Sequence, residues 1–488
     1  MNKPVRAMAV VCLLMFVGLL LNANYVQFVQ ADDLNEKPGN RRVIDEEFSR
    51  ERGAIIVDGK PIAQSVPVKD KWQFQRRYTD AKLYAPVTGY FSYLYGREGI
   101  EQTYNSILSG SDDRLFVNRV IDVISNDQPQ GGSVELTLDP AAQKAAFDGL
   151  ADLGEKTRGA VVALDPQTGE VLAMVSQPTY NPNALASHRL EKVAQNWRRL
   201  NQDETQPLIN RSTQTTLPPG STFKAVTAAA ALEDLGLKAD DDVRGGATLG
   251  FPGIDYKLTN QGGSTCGGNP ISFQRALEVS CNVSFGWLAR KVGQDKLAEQ
   301  ATKFGFGERP IDDLVSYASR FTADPDTDLE APQLAQSGIG QFEVAATPIQ
   351  MAMVAGAVAN DGVLMKPHLV RTVRAPNLSV LEQPEPQELG RPMSAGDARE
   401  LSDMMVSVVQ DGTGSPAQIP GVDVGGKTGT AESAPDRPPY AWFIGFAPAD
   451  DPKVAVAVLV ESTQNTSDIG GGRLGGPIAR SVMEAVLR

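Results

Sequence analysis

The chain has 488 residues, more than a typical single domain, with 59 Asp+Glu against 46 Lys+Arg and a formal net charge of -13. Two domains, or one large domain with a substantial extension, are expected, and the surplus of acid argues against nucleic-acid binding because it repels polyphosphate. The only two histidines, His188 and His368, disfavour His-rich metal sites and leave any Ser-His-Asp triad dependent on one of two residues, so a nucleophile here should find its base elsewhere.

Lys3 and Arg6 lead into an unbroken apolar run over residues 7–21. Those fifteen residues fall short of the roughly 20 that span a bilayer unless Ala23, Tyr25, Val26, Phe28 and Val29 extend them. A cleaved signal peptide and an uncleaved signal anchor both fit. No small-x-small cleavage site precedes the charged segment at Ala31-Asp32-Asp33, so residues 1–30 are read as a single-pass anchor in the cytoplasmic membrane. Either way the remainder is exported to the extracytoplasmic side. Cys12 lies in the apolar run, whereas Cys266 and Cys281 are exported, where an oxidising compartment allows a bridge between them.

Residues 35–132 alternate short β-like runs, such as 54–57, with turn formers and polar stretches. This reads as a non-catalytic, strand-rich module over 31–132. A Gly/Pro/Gln-rich break at 128–132 marks its end, and 133–488 form the second unit. That unit opens with a strand at 134–138 and a helix over 140–154 with proline near its first turn. A hairpin follows, 159–164 and 170–176, turning at Asp165-Pro166-Gln167-Thr168-Gly169. Three more strands are predicted at 424–431, 441–447 and 454–461, and an amphipathic helix closes the chain at 478–487. Between 177 and 421 the pattern is mostly helical, with apolar helices near 225–235, 272–292 and 347–359. Strands at both ends of a unit with helices between them predict an α+β domain, an antiparallel sheet flanked by helices.

Three elements carry chemistry. In Pro218-Pro219-Gly220-Ser221-Thr222-Phe223-Lys224, an Ala-rich helical run follows, so Ser221 is predicted at a helix start with Lys224 one turn on and within hydrogen-bond reach. A serine hydroxyl needs a base, and a desolvated lysine can serve. Alone, S-x-x-K is weak, and Ser221 as a simple helix cap is the better interpretation. Ser280-Cys281-Asn282 and Lys427-Thr428-Gly429-Thr430 follow in order; singly they read as a helix break and a β-turn. Together, S-x-x-K, Ser-x-Asn and K-T-G are the active-serine penicillin-recognising set.

On these motifs the sequence resembles the class B penicillin-binding proteins, which are monofunctional DD-transpeptidases, and among them the penicillin-binding protein A type. The resemblance extends to the 159–173 hairpin, Asn210-Arg211, Gly338-Ile339-Gly340-Gln341, Gly412-Thr413-Gly414 and Trp442-Phe443-Ile444-Gly445-Phe446. Upstream it includes Arg52-Gly53-Ala54-Ile55 and residues 96–101 of the pedestal, a dimerisation-type module. It implies the penicillin-binding transpeptidase fold, which is also that of serine β-lactamases.

It further implies that Ser221, deprotonated by Lys224, attacks the penultimate D-Ala carbonyl of a stem peptide, with Ser280 and Lys427 passing a proton to the departing amine. Asn282 would bind the substrate amide and hold Lys224. Thr428, Gly429 and Thr430 would bind the terminal carboxylate, and the N–H groups of Ser221 and Thr430 would form an oxyanion hole. An amine of a neighbouring stem then completes a cross-link in the cell wall. The implied partners are D-Ala-D-Ala stem peptides, β-lactams that acylate Ser221, and division or elongation machinery, with no cofactor and no metal. Cys266 and Cys281 are expected to be bridged rather than free. A serine β-lactamase would carry a Glu-x-x-Leu-Asn element between the second and third motifs, and none is present. A DD-carboxypeptidase needs the same residues, a silent sensor would normally carry more membrane spans, and a glycosyltransferase domain would not fit before residue 132.

Overall fold

The computed structural model describes residues 3–30, 34, 41–115, 130–433, 438–463 and 469–488. The segment Ala31-Asp32-Asp33, residues 35–40 at the start of the expected pedestal, and residues 128–129 of its expected end lie outside them. The apolar N-terminus forms one helix, Lys3–Asn24, continued by a π-turn Tyr25–Val29. The extension beyond residue 21 is therefore made, and Asn24 donates to the Leu20 carbonyl at 2.8 Å within it. Its 22 residues give a length of about 33 Å, enough to cross a ~30 Å hydrocarbon core. No residue of this helix is buried.

Six strands form one sheet in the order Val380–Glu382, Val370–Arg374, Ser133–Leu136, Ile55–Val57, Lys60–Pro67, Phe74–Tyr78. Ser133–Leu136 lies parallel to Ile55–Val57, pairing Ile55 with Val134 and Val57 with Leu136, and the other neighbours are antiparallel. Val134 and Leu136 point into the core while Ser133 and Glu135 stay partly exposed, the alternation of a half-buried strand. Residues on both sides of position 132 thus share one ladder. Val370–Arg374 belongs to a region whose sequence pattern is mostly helical; its Val370 and Val373 complete the same buried face.

Beside this sheet lies a buried ion cluster. Arg52 Nε and Arg76 Nε each donate to a different oxygen of Glu101 at 2.6 Å, and the Tyr78 hydroxyl adds a third bond at 2.9 Å. All four side chains are buried. Burial alone would raise the Glu101 carboxyl, but the two guanidiniums outweigh it and hold the group below its ordinary value.

The second sheet is antiparallel throughout, in the order Gly425–Ala431, Tyr440–Ala447, Val454–Ser462, Arg158–Leu164, Val171–Gln177. Its central strand reads Val-Ala-Val-Ala-Val-Leu-Val from Val454, apolar at every position because both faces are covered. Val456 and Val458 pack with Ala142, Leu150, Ile478 and Val482 of the helices Pro140–Ala151 and Gly476–Val486. Ala455 and Ala457 belong to the larger core on the other side, with Ile349 of Pro348–Ala359 and the helix Lys224–Leu235. This arrangement is the expected α+β layering. The apolar stretch at 272–292 is not one helix: Phe273–Glu278 and Asn282–Val292 are separated by Ser280 in a left-handed conformation, φ 57°.

Replacing Glu101 by Ala leaves two guanidiniums buried without their anion. The expected loss is about 3–5 kcal/mol of stability, read as a lowered midpoint in denaturant unfolding of the full chain. An unchanged midpoint would show that this cluster does not hold the pedestal together.

Candidate active site

Ser221 sits in a 3-10 turn, Gly220–Phe223, that feeds the helix Lys224–Leu235. Close backbone approach sets this turn against the edge strand Gly425–Ala431. A Cβ on Gly220, at φ +53°, would lie 2.9 Å from the Thr430 carbonyl oxygen, and one on Gly429 would lie 2.8 Å from that of Pro219. Gly429 is thus the floor on which the serine turn packs. Ser221, Ser280, Asn282 and Thr430 together line a cleft of about 530 Å³.

Beneath the cleft two lysines, both fully buried, converge on one hydroxyl. Lys224 Nζ donates to the Ser280 carbonyl at 2.7 Å, to Ser280 Oγ at 3.2 Å and to Asn282 Oδ1 at 2.7 Å. Lys427 Nζ donates to Ser280 Oγ at 2.9 Å and to the Thr428 carbonyl at 2.9 Å. Burial, reinforced by the Lys427 charge, holds the Lys224 amine well below its ordinary value, and burial brings Lys427 down to about 7. The left-handed turn at Ser280 is what aims both its carbonyl and its hydroxyl at these amines.

Sequence spacing predicts a hydrogen bond between Ser221 and Lys224, and none is formed. The Lys224 ammonium is already saturated by Ser280 and Asn282, and a 3-10 turn rather than an α-helical one precedes it. Thr428 is buried beside the cleft and shares a 2.7 Å hydrogen bond with the hydroxyl of Thr413. Thr413 belongs to the Gly412-Thr413-Gly414 segment of the resemblance, and its place beside the strand follows from the turn after the helix Ala395–Gln410. The opposite wall of the cleft is the hairpin Thr248–Phe251/Ile254–Thr259, absent from the sequence expectation. Asn282 Nδ2 donates to the Thr259 carbonyl at 2.9 Å, tying the motif to that wall.

Cys266 and Cys281 are joined as a disulfide with Cα atoms 5.8 Å apart, pinning the loop after the hairpin to the residue between Ser280 and Asn282. Neither histidine reaches the cleft: His188 Nδ1 pairs with Asp70 Oδ2 at 2.5 Å, and His368 lines a separate cavity. Among the described residues no group of three or more His, Cys, Asp or Glu side chains could hold a metal ion.

An antiparallel sheet flanked by helices, with a serine over a pair of desolvated lysines, defines an active-serine acyltransferase of the penicillin-recognising class. Residues 159–484 match the penicillin binding protein transpeptidase domain, and residues 52–134 the penicillin binding protein A dimerisation domain. The chain is 41% identical to the peptidoglycan D,D-transpeptidase PbpA of Mycolicibacterium smegmatis, over 100% of this chain and 99% of that one. It is 40% identical to PbpA of Mycobacterium tuberculosis over the same shares. The ceftriaxone acyl-enzyme complex of M. tuberculosis penicillin-binding protein A superposes with a TM-score of 0.86 at 39% identity, covering 91% of this chain and 100% of that structure. Its imipenem acyl-enzyme superposes with a TM-score of 0.85 at 40% identity, covering 91% and 100%. The chain belongs to the penicillin-binding protein A family of transpeptidases.

Thiol titration in denaturant without reductant should find one reactive cysteine per chain, Cys12. The bridge closes a loop of 15 residues, so Cys266→Ser should lower stability by about 3 kcal/mol in the chain-entropy account. Three free thiols would remove the link.

Proposed function

We propose that the chain cross-links peptidoglycan as a D,D-transpeptidase on the outer side of the cytoplasmic membrane, with Ser221 as nucleophile and the helix Lys3–Asn24 as a single-pass anchor. In this account residues 31–132 act as a pedestal that holds residues 133–488, the catalytic unit, away from the bilayer. The observation that carries the assignment is the convergence of Lys224 and Lys427 on Ser280 beneath a cleft that opens on Ser221.

Neutral Lys224 takes the proton of Ser221 as Oγ attacks the carbonyl of the penultimate D-Ala. The tetrahedral oxyanion is met by the N–H groups of Ser221 and of Thr430; the latter lies on an edge strand, whose outer N–H groups have no strand neighbour. The proton held by Lys224 then moves through the Ser280 hydroxyl to the departing D-Ala amine. Ser280 can accept from Lys427 while donating to that amine, so the relay keeps each hydroxyl and ammonium partnered. Asn282 holds Lys224 in place and offers its amide to the substrate backbone, while Thr428, Gly429 and Thr430 form the strand edge that receives the terminal carboxylate. The acyl group then passes to an amine of a neighbouring stem. β-Lactams enter the same first half-reaction and acylate Ser221, as the acyl-enzymes of the M. tuberculosis relative illustrate.

Ser221→Ala should abolish covalent labelling by fluorescent penicillin, with Lys224→Ala losing nearly as much, on the order of 10³-fold or more, because groups acting as a unit are not additive. Persistent labelling of a folded Ser221→Ala chain would place the nucleophile elsewhere.

The pH dependence follows from the lysines. Acylation requires neutral Lys224, so the rate rises with pH below the Lys224 pKa, about tenfold per unit, and levels off above it. Because burial and the Lys427 charge depress that pKa, the plateau should begin well below the ordinary lysine range. Lys427→Met removes a repelling charge and should move the rising limb to higher pH. A limb that stays in place in this variant would uncouple the two amines.

A further inference from the structure

Among the described residues two charged ones line the cleft, Lys257 on the hairpin wall and Glu432 just past the end of the edge strand. Both are exposed, and neither side chain forms a hydrogen bond or ion pair with another described residue. Among the described residues Glu432 is the one carboxylate lining the cleft that holds Ser221. It stands two residues after Thr430, just beyond the end of the edge strand, and lines the same cleft as Ser221 and Thr430.

We infer that Glu432 is the acceptor-binding residue, which draws the ammonium of the incoming stem peptide to the acyl-enzyme. The assignment rests on the transpeptidase function proposed above and names the part of the cleft that serves its second half-reaction. Two nucleophiles compete for the ester on Ser221. Water is neutral, whereas a primary amine arrives protonated at neutral pH, so a lone carboxylate at the cleft concentrates the amine and leaves water unaffected. One ammonium proton goes to solvent, the nitrogen bonds to the acyl carbon as the bond from that carbon to Ser221 Oγ breaks, and a second proton ends on Ser221 Oγ. Lys257, on the facing wall, repels the same ammonium and so biases it toward the Glu432 side.

The experiment supplies the full-length chain in detergent with a synthetic peptide ending in D-Ala-D-Ala as donor and a second synthetic stem peptide bearing one primary amine as acceptor. Released D-Ala, hydrolysed donor and cross-linked dimer are quantified against acceptor concentration. In Glu432→Gln the ratio of cross-linked to hydrolysed product is expected to fall about fivefold, the range of a solvent-exposed charge pair, through a raised half-saturating acceptor concentration rather than a lowered maximum. Glu432→Asp should recover part of it, and 0.5 M salt should narrow the gap between wild type and Glu432→Gln. A ratio in Glu432→Gln equal to that of the wild type, with D-Ala still released, overturns the assignment alone. Failure of the wild-type chain to release D-Ala overturns both the assignment and the transpeptidase function beneath it.

Discussion

Two amines share one hydroxyl in this protein, and most of the catalytic unit is arranged around that contact. Lys224 and Lys427 are both withdrawn from water, where a full positive charge on each would be strongly opposed by desolvation and by the other. Polar groups meet both amines there: Ser280 supplies a carbonyl and a hydroxyl, Asn282 an amide oxygen and Thr428 a carbonyl. The same desolvation that is unfavourable for folding holds both amines below the ordinary lysine range. Stability and reactivity therefore draw on one set of contacts.

That set is assembled from three distant parts of the chain, so its geometry depends on the rigidity of what surrounds it. The Lys224 helix is buried along most of its length, the edge strand is registered residue by residue against Tyr440–Ala447, and the disulfide at Cys281 fixes the Ser280 turn from its other side. Glycines at 220 and 429 let the serine turn and the strand meet at backbone distance. A side chain at either position would separate Ser221 from Thr430.

The pedestal is joined to this unit by more than a linker. Besides the shared ladder at Ser133–Leu136, the Tyr104 hydroxyl donates to Asp313 at 2.8 Å, Asn183 exchanges two hydrogen bonds with the Tyr78 backbone, and Asn210 Nδ2 donates to the Pro86 carbonyl at 2.9 Å. Tyr78 also belongs to the Glu101 cluster. The ion cluster, the shared sheet and the turn leading to Ser221 thus form a continuous set of contacts. Asn210 caps the short helix Arg211–Gln214 a few residues before the serine motif, so residues near Pro86 bear on the segment that leads to Ser221.

Sequence alone determined the sheet strands at 159–176 and 424–461, the helix behind Ser221, the apolar N-terminal helix and the three motifs, because each is written in local periodicity or in short spacing that survives without its neighbours. The Cys266–Cys281 pairing was also legible, from compartment and count. The Asn282 contact with Lys224 was implied by the resemblance, whereas the tertiary structure decided other relations between segments: that Lys224 turns to Ser280 instead of Ser221, that the helical stretch at 272–292 breaks at a left-handed Ser280, and that a strand from each side of residue 132 pairs in parallel. The hairpin wall and Glu432 were silent, and Thr413 was legible only as part of the Gly412-Thr413-Gly414 resemblance, since their place at the cleft comes from contacts between residues far apart in the chain. Local pattern fixes which face of an element is apolar; which polar group meets which is settled only when the elements pack and every buried donor must find its acceptor.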